Sequence, residues 1–420
     1  MFSSAKNLFL KSIYLILASY ARRIIRRHKP FVIGITGSVG KSTTKEMVYQ
    51  VMSDHFKENV RKNYGNLNAE FGIPLTILGY DRMPNKLAWP LFLVKAYFKS
   101  YTKIYPKYLI LEMGVEHKGD LQYFGTIVRP DIGIIISTAP AHTANFKSHS
   151  EQQEEKLEMA KIIKPDGILI VNADDVNVSK IDFEKILTVG ITSQSVNYQG
   201  NSVKVNENGT EYRIATLGQK ISIKSALIGE HFIYAALFSF AVGQQFGIQS
   251  LEIKKSIEKV VSEPGRMNLI KGRDGITILD DTYNASPASM KAALLVLSKF
   301  NGRRVAILGN MNELGDLEKE AHQKIAEFAR ERSDFAIFVG RNSEEMAKIY
   351  GQDSVRFNSR RELDSHILEI IKPNDTVLIK ASQNGNFLEE TVKLLLKDRS
   401  ESSLVLVRQS KFWLKKKGIK

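Results

Sequence analysis

The sequence predicts an α/β protein: a doubly wound, mostly parallel sheet with a P-loop, followed by a second, Rossmann-like α/β domain. Short apolar runs typical of buried parallel strands alternate with helical segments along most of the chain. Polar residues follow several of these runs, at the strand ends where α/β proteins bind ligands. Residues 31–47 contain the first of these runs, then a glycine-rich loop and then the start of a helix. Together these observations indicate open parallel sheets with a binding site at the carboxyl edge.

The glycine-rich loop has the composition of a phosphate-binding loop. Its backbone N–H groups and the following helix N-terminus can face an anion, Lys41 can reach the outer phosphates, and the Ser42 hydroxyl can bind Mg²⁺. Ile35 stands where the usual Walker pattern has glycine, and a plain turn with a surface lysine is the alternative. A strand over 31–35 and a helix over 43–51 flank the loop and favour phosphate binding. The predicted nucleotide-binding residues here are Thr36, Gly37, Ser38, Val39, Gly40, Lys41, Ser42 and Thr43.

The composition is that of a globular protein without thiol chemistry. The 420 residues include no cysteine, which excludes disulfides, thiolate nucleophiles and zinc–sulfur sites. An apolar fraction of 43% and a charged fraction of 25% are ordinary, and the length suggests two or three domains. No small-residue cleavage site for a signal peptide is evident, so a reducing, cytoplasmic location is expected.

The net charge of +15 is concentrated in three segments that contain no acidic residue. Residues 1–30 carry seven lysines and arginines, and residues 82–107 and 408–420 carry six each. All three also contain large apolar residues, a combination typical of helices at an anionic membrane surface. The most apolar stretch of the first segment covers 13 residues, 8–20, which is short of the ~20 that a spanning helix needs.

Segments 1–30 and 82–107 are therefore predicted to form interfacial helices at the inner face of the plasma membrane. In the second segment one helical stripe is apolar and another is basic, consisting respectively of Leu91, Val94, Phe98 and Tyr101 and of Lys95, Lys99, Lys103 and Lys107. The alternative is that both helices pack on the protein or on each other. Nucleic-acid binding is disfavoured, because the basic residues do not form a recognisable reading module.

The central part of the chain carries polar residues after three further predicted strands. An Asn- and Gly-rich loop over 60–73 leads into a helix at 74–78. The strand over 108–111 ends on Glu112, and the strand over 131–137 ends on a polar loop with His142. A helix over 150–163 contains Lys156, and the strand over 167–172 follows it. Taken alone, Lys156 is more readily interpreted as a solvated helix lysine, and His142 equally well as a structural loop residue.

The remaining chain is predicted to hold a small antiparallel section, a buried helix and a second α/β unit. Apolar and polar residues alternate over 182–225, and residues 232–246 form a helix that is apolar nearly all round. A hinge-like break at 263–266 sets the boundary. Strands over 276–279, 304–308, 335–339 and 376–380 follow. The predicted domains are a basic apolar helix over 1–30, a central ATP-binding domain over 31–264 with the insert 82–107, and a C-terminal domain over 265–420.

Nine motifs in order resemble the Mur ligases, the ATP-dependent amide-forming enzymes of peptidoglycan precursor assembly. They are TGSVGKS (36–42), GNLNAEFGIP (65–74), LEMG (111–114), AHTANF (141–146), Lys156, GEH (229–231), PGRM (264–267), DDTYNASP (280–287) and GNMNELG (309–315). Within the family they are most similar to the ligases that add D-alanyl-D-alanine to a UDP-N-acetylmuramoyl tripeptide. The resemblance covers about residues 31–395. It implies an ADP-forming ligase that works through an acyl phosphate.

The resemblance also implies roles for single residues. Lys41 would hold the β- and γ-phosphates of ATP, and Ser42 and Glu112 would bind one Mg²⁺. His142 and Lys156 would serve a second Mg²⁺, with Lys156 carbamylated, so that Lys41, Lys156 and His142 form the catalytic set. Arg266 and Asp281 would reach the nucleotide from the C-terminal domain. Candidate substrate residues are Asn66, Asn284 and Ser382.

Three departures from the family leave alternatives open. The usual nucleotide-sugar-binding domain does not precede the phosphate loop, which leaves the carboxylate acceptor open. After Gly229-Glu230-His231 the family usually has asparagines, and this chain has Phe232 and Tyr234. Where the ligases that the chain resembles have a lysine-glycine-serine-arginine sequence, this chain has Lys380-Ala381-Ser382-Gln383. The alternatives are a ligase for another acceptor, lipid-linked or of the folate or polyglutamate kind, a non-catalytic scaffold with this fold, and a membrane-bound nucleotidase. A monomer acting on a nucleotide-sugar peptide and a dipeptide is expected.

Overall fold

The computed structural model describes residues 2–65, 67–84, 88–139, 145–146, 148–176, 178–216, 218–383 and 385–419, with side chains from residue 12 onward except at 149. The first half consists of these elements: α1 Phe2–His28, β1 Phe31–Thr36, α2 Lys41–Phe56, β2 Val60–Lys62, α3 Gly72–Ile77, α4 Trp89–Lys99, β3 Tyr108–Glu112, α5 Asp120–Ile127, β4 Ile132–Ile135, α6 His149–Leu157, α7 Met159–Ile162, β5 Ile168–Asn172, β6 Ile186–Gly190, β7 Tyr198–Asn206, β8 Gly209–Thr216, β9 Gln219–Ser225, α8 His231–Gln245 and α9 Ser250–Glu258.

The second half forms a separate sheet with its own helices. Its elements are β10 Asn268–Lys271, β11 Thr277–Asp281, α10 Pro287–Leu297, β12 Arg304–Gly309, α11 Glu318–Arg330, β13 Phe335–Val339, α12 Ser343–Tyr350, β14 Ser354–Phe357, α13 Arg360–Ile370, β15 Thr376–Lys380, α14 Glu389–Leu395, α15 Ser402–Val405 and α16 Lys411–Lys416. The strand order is β10-β11-β15-β12-β13-β14, parallel except for β10, which pairs antiparallel with β11.

The first sheet has nine strands in the order β2-β3-β1-β4-β5-β6-β7-β8-β9. Strand β1 lies between β3 and β4, parallel to both, so the chain leaves β1 toward one edge and returns on the other side. A crevice outside the carboxyl ends of strands forms at such a switch point, and it is the usual ligand site of open α/β sheets. The fold therefore places the loop after β1 where a nucleotide binds. The predicted α/β fold class is confirmed.

Several predicted elements need correction. Residues 60–62 were expected in a loop and form β2, because they pair with β3 at the sheet edge. The section over 182–225 is not separate: β6 continues the parallel sheet beside β5, and only β7 to β9 pair antiparallel. The helix expected over 150–163 is divided into α6 and α7 at Glu158. Strands β10 and β14 were not predicted, because each is short and lies at an edge of the second sheet.

The N-terminal helix α1 packs on the first sheet's helices with one face. Ile13, Leu17, Ala21 and Ile24 are buried in a core shared with α3, α4 and α5. The packing alternative therefore holds for this face of α1, while Leu15 and Ile16 are exposed. Among the helices that the structure describes, none combines the length and the apolar character needed to cross a bilayer.

The basic segment at the C-terminus is partly neutralised by buried carboxylates. Lys417 is buried and its ammonium lies 2.9 Å from Glu389 and 2.5 Å from Glu390. Arg408 pairs with Glu389 at 2.8 Å and donates to the carbonyl oxygens of Thr282 and Tyr283. This segment thus holds the tail against the loop after β11 rather than presenting all of its charge to solvent.

Candidate active site

The loop after β1 has the backbone of a phosphate cradle. Gly37 has φ +149°, and a Cβ there would lie 3.0 Å from the backbone nitrogen of Ser137. Gly40 has φ +82° and immediately precedes α2. The Ser38 N–H donates to the Ser137 carbonyl at 2.9 Å, which ties the loop to the end of β4. Only glycine fits these positions without strain, so the sequence motif and the backbone conformation agree.

Lys41 lies across this loop. Its ammonium donates to the carbonyl oxygens of Gly37 at 2.6 Å and Ser38 at 3.4 Å. Burial lowers the pKa of Lys41, the carboxylate of Glu112 opposes that effect, and the nearby guanidinium of Arg266 adds to it. A polyphosphate in the cradle would supply the negative charge that favours the protonated lysine.

Glu112 ends β3 beside the phosphate loop and is buried. The Ser42 hydroxyl donates to its Oε1 at 3.3 Å, and the Asn68 amide donates to the same oxygen at 2.9 Å. The Lys45 ammonium lies 3.2 Å from Oε2. Burial by itself raises the pKa of Glu112, but the ammonium groups of Lys45 and Lys41 outweigh it and hold that pKa below its ordinary value. Glu112 is therefore an ionised carboxylate at neutral pH.

Three residues around Glu112 were not predicted: Lys45, Asn63 and Asn68. The Asn63 side chain accepts a hydrogen bond from the Glu112 N–H at 2.9 Å and donates to the Glu112 carbonyl at 3.0 Å. These bonds fix the end of β3 against the Asn-rich loop, and they join residues 49 positions apart. The signal in the sequence was the asparagine-rich stretch itself. The predicted residue of that stretch, Asn66, lies outside the described residues, and Asn68 is the one that touches Glu112.

The oxygens of Ser42 and Glu112 fit a magnesium ion. Both are hard oxygen ligands at the carboxyl edge of the sheet, and Oε2 of Glu112 is buried with no hydrogen-bond donor among the residues that the structure describes. The Lys45 ammonium, 3.2 Å away, provides charge compensation at that oxygen. Within the described part of the chain, no three His, Asp or Glu side chains come together as a metal cluster. His142, predicted for a second ion, lies outside the described residues.

Lys156 is buried in α6 with only 2% of its surface exposed. Its ammonium nitrogen has no hydrogen-bond partner among the described residues. Burial, with a smaller contribution from the charge of Lys41, lowers the pKa of Lys156 to about 7. The interpretation of Lys156 as a solvated lysine is therefore wrong. A buried amine that is largely neutral near pH 7.5 is a nucleophile, and such groups concentrate at functional sites.

Arg266 links the second sheet's domain to the phosphate loop. Its guanidinium donates to the Ser42 hydroxyl oxygen at 3.3 Å and stacks on the Tyr283 ring, 3.8 Å from the centroid. Residues 42 and 266 are thus in direct contact although 224 positions separate them. A planar guanidinium placed beside a phosphate cradle suits the transfer of a phosphoryl group, because it can stabilise developing charge.

Asp281, Asn284 and Ser382 lie together around the buried Lys380. The Lys380 ammonium is 2.5 Å from Asp281 Oδ2 and donates to the Asn284 carbonyl at 2.9 Å. Ser382 is buried, donates to the Ala285 carbonyl at 3.0 Å and accepts from the Asn312 N–H at 2.9 Å. Burial lowers the pKa of Lys380 despite its partner Asp281. The ion pair orders the loop after β11, so Lys380 is a further residue that the sequence did not single out for the site.

His231 and Tyr234, in and after the Gly229-Glu230-His231 motif, face different surroundings. Burial lowers the pKa of His231 to about 4, against the opposing charge of Asp281. The Tyr234 hydroxyl donates to Asp174 Oδ2 at 2.8 Å, at the end of β5. Tyr234, near where the resemblance leads us to expect asparagines, is therefore already hydrogen-bonded within the protein.

Comparison with known proteins identifies the family. The sequence profile of the Mur ligase middle domain matches residues 35–243, and that of the Mur ligase glutamate ligase domain matches residues 265–383. The UDP-N-acetylmuramoyl-tripeptide–D-alanyl-D-alanine ligase of Bacillus subtilis (strain 168) is 31% identical over 373 residues, which are 87% of this chain and 76% of that protein. The chain belongs to the Mur ligase family. The resemblance that the nine motifs indicated is confirmed.

Solved Mur ligases share the fold of this chain over most of its length. A MurF ligase from Thermotoga maritima, solved in complex with ADP, is 26% identical with a TM-score of 0.75, covering 88% of this chain and 80% of that one. MurF from Acinetobacter baumannii is 24% identical with a TM-score of 0.78, covering 90% of this chain and 79% of that one. At 24% identity, the similarity to the Acinetobacter baumannii protein shows a shared fold and nothing further.

The structure brings the predicted site residues of this Mur ligase into two adjoining clusters. Contacts or charge interactions join the residues of the first cluster, which are Lys41, Ser42, Glu112 and Arg266. Besides burial, the charge of Lys41 also lowers the pKa of Lys156. Asp281, Asn284 and Ser382 form the second cluster, and the charge of Arg266 acts on both Lys41 and Lys380. Asn66 and His142 fall outside the described residues. The roles assigned to single residues stay predictions.

Proposed function

We propose that this Mur ligase forms the amide bond between D-alanyl-D-alanine and a UDP-N-acetylmuramoyl tripeptide, with hydrolysis of ATP to ADP and phosphate. The contact of Arg266 with Ser42 carries the proposal within the structure. A nucleotide hydrolase needs no second domain at its phosphate loop, whereas a ligase must bring an amine to an activated carboxylate there. We infer the two substrates from the relatives named for this reaction, which the chain matches over about three-quarters of their length.

The proposed reaction proceeds through an acyl phosphate. The acceptor carboxylate attacks the γ-phosphorus of ATP and ADP leaves; the amine then attacks the acyl carbon, loses a proton and displaces phosphate. Lys41 and the loop N–H groups hold the outer phosphates, and Arg266 reaches the same region from the second domain. Ser42 and Glu112 would hold Mg²⁺, which neutralises charge between carboxylate and phosphate when bound.

We further propose that Lys156 is carbamylated. A neutral amine adds to CO₂, forms an N–C bond and releases one proton, which leaves a carbamate with one negative charge shared by two oxygens. The pKa of about 7, the burial and the unpartnered nitrogen of Lys156 support this step. Together with His142 the carbamate would provide oxygen and nitrogen ligands for a second Mg²⁺, which a plain ammonium would repel.

The decisive assay measures phosphate release from ATP and Mg²⁺ with UDP-N-acetylmuramoyl tripeptide, with D-alanyl-D-alanine, and with both. We expect release only with both substrates, together with a pentapeptide product of the correct mass. The Lys41→Ala variant is the matched inactive control. Binding of ATP without stimulation by either substrate would overturn the proposed acceptor and direct the search to lipid-linked or other carboxylates. Release with ATP alone would instead support a nucleotidase.

Carbamylation has its own test. ¹³C-labelled bicarbonate should give a carbamate signal in the wild type and in Lys161→Ala, an exposed lysine in α7, but none in Lys156→Ala. Lys156→Ala should lose activity that a short carboxylate with high bicarbonate partly restores. Wild-type activity in Lys156→Ala, or an equal ¹³C signal in it, would refute the carbamate.

The proposed enzyme works as a monomer in the cytoplasm, at the inner face of the membrane. ATP and nucleotide-sugar precursors are cytoplasmic metabolites, and the acid-free segments 1–30 and 82–107 favour an anionic surface. Sedimentation velocity of the full chain checks the oligomeric state: a mass of about 47.4 kDa supports the monomer, and a dimer mass contradicts it.

A further inference from the structure

Helix α4 and the loop after it expose a row of large apolar side chains. Leu91, Val94, Phe98 and Tyr101 are all exposed, Phe98 by 69%, and Ile104 in the following loop is exposed by 89%. The opposite side of the helix is fixed to the protein, since Trp89 and Ala96 are buried in the core shared with α1. A soluble surface seldom leaves so many neighbouring large apolar residues in water without a partner.

The C-terminal half of α1 is joined to this row. The Arg23 guanidinium lies 4.3 Å from the Tyr101 ring centroid and donates to the Ser100 hydroxyl at 2.8 Å. Arg27 donates to the Tyr101 carbonyl at 3.2 Å, and the His28 ring nitrogen lies 3.0 Å from the Thr102 carbonyl. These contacts make α4, the 100–104 loop and the end of α1 one surface, called here the α1–α4 face.

The α1–α4 face is strongly basic as well as apolar. Segments 1–30 and 82–107 contain no acidic residue. Arg22, Arg23, Arg26 and Arg27 line an open crevice of about 410 Å³ together with Ser19. Among the described side chains, none of these arginines forms an ion pair with a carboxylate. Guanidinium groups around a crevice that lack a carboxylate partner suit phosphate oxygens, which guanidinium can bind bidentately.

We propose that the α1–α4 face docks on an anionic phospholipid bilayer. In this arrangement the α4 row and Ile104 enter the acyl boundary, and the arginines of α1 contact headgroup phosphates. The occupant follows from the two features together, because insertion needs exposed apolar side chains and an anionic leaflet attracts clustered basic residues. The inference concerns a surface separate from the ligase reaction and does not depend on it.

The structure also changes which element inserts. The buried face of α1, with Ile13, Leu17 and Ile24, belongs to the protein core. Deleting residues 1–28 would therefore expose that core and would not test membrane binding cleanly. In the proposed arrangement α4 and the loop after it insert into the bilayer, because their exposed apolar side chains do not belong to the protein core. Helix α1 contributes positive charge.

Co-sedimentation of the full chain with vesicles tests the proposal. The vesicles are phosphatidylglycerol and phosphatidylcholine in equal amounts, compared with phosphatidylcholine alone. The test variant is Phe98→Glu with Ile104→Glu, and the matched control is Leu251→Glu with Val261→Glu, which changes the charge equally at two positions exposed by 68% and 71%. A third variant, Arg22→Gln with Arg26→Gln, removes two of the crevice charges.

We expect the wild type and the control to bind the mixed vesicles and not phosphatidylcholine alone. The test variant should bind at least about tenfold more weakly, equivalent to ~1.4 kcal/mol. The arginine variant should bind more weakly and lose part of its salt dependence. Urea midpoints equal to the wild type exclude misfolding as the cause.

Four outcomes would overturn the proposal. The wild type does not bind the mixed vesicles, or the test variant binds as the wild type does. Equal binding to both vesicle types would show that the anionic headgroup is not recognised. A dimer in sedimentation velocity that the test variant dissociates would assign the face to a second copy of the chain instead.

Discussion

Replacing Lys156 by methionine should stabilise the folded protein while abolishing its activity. Lys156 is buried, and its nitrogen has no hydrogen-bond partner among the described residues. Burial lowers its pKa from 10.5 to about 7. An ammonium group is well solvated in the unfolded chain and poorly solvated at this position, so the charge favours unfolding. Methionine has a similar length and carries no charge, which removes that contribution.

The magnitude follows from the two pKa values. A folded pKa of about 7 against 10.5 in the unfolded chain favours unfolding by up to ~5 kcal/mol when both states are protonated. Since the folded value is the lower one, the full destabilisation is present below pH ~7. It declines as the pH rises and vanishes above pH ~10.5. Relaxation of the pocket and entry of water reduce it, so we expect a gain of ~1–3 kcal/mol for Lys156→Met at neutral pH.

The assay compares urea midpoints of wild type, Lys156→Met and the exposed control Lys161→Met from pH 6.5 to 9.5 in bicarbonate-free buffer. The advantage of Lys156→Met should shrink as the pH rises, and the control should show no such trend. Added bicarbonate should raise the midpoints of the wild type and of Lys161→Met but not that of Lys156→Met, because carbamylation removes the buried cation at Lys156. A less stable Lys156→Met protein, or an advantage independent of pH, would refute the reasoning.

Three further predictions concern the other site residues. Lys41→Ala should weaken ATP binding by about a hundredfold or more, because it removes the charged donor to the phosphates; calorimetry with ATP measures this, and unchanged affinity would contradict the assignment of the loop. Asn68→Ala should raise the Mg²⁺ concentration for half-maximal activity about tenfold, since the amide that orients Glu112 is lost, and excess Mg²⁺ should restore the rate. Asp281→Asn should lower the free energy of unfolding by ~3 kcal/mol, because the buried Lys380 loses its charged partner; an equal urea midpoint would show that the pair contributes nothing.

Local patterns made the fold predictable from the sequence. Apolar runs bounded by turn residues mark β1, β3, β4 and β5 in the interior of the first sheet, so these strands could be placed within one or two residues. Strands of three or four residues at sheet edges, such as β2 and β10, have no such run. They form because a neighbouring strand offers hydrogen bonds, which the local sequence does not encode.

The site residues could be predicted from residue patterns only where they lie within one contiguous motif. Lys41 and Ser42 belong to such a motif. Lys45, Asn63 and Asn68 do not, and their roles arise from contacts with Glu112 across 44 to 67 positions. Burial is a second property that the sequence hides. The run around Lys156 is rich in glutamine and glutamate and reads as solvated, yet packing of α6 excludes water from the lysine.

The charges around the phosphate loop explain why the site is suited to a polyanion. Lys41, Lys45 and Arg266 converge on one buried carboxylate, Glu112, and the pKa of Lys41 is lowered although that carboxylate is near. Burial is the main cause of that lowering and the charge of Arg266 adds to it, so the protonated Lys41 is only partly compensated within the protein. Lys156 limits this imbalance, because its lowered pKa reduces its charge near neutral pH. A triphosphate would relieve the imbalance, and with Mg²⁺ bound it would bring the carbamylated form of Lys156 into favour, since an added cation attracts an anionic ligand. Nucleotide, metal and CO₂ should consequently bind cooperatively, so that each raises the affinity for the others. The measurement is the ¹³C carbamate occupancy with and without ATP and Mg²⁺. An occupancy that does not change would show independent binding and would contradict the electrostatic argument.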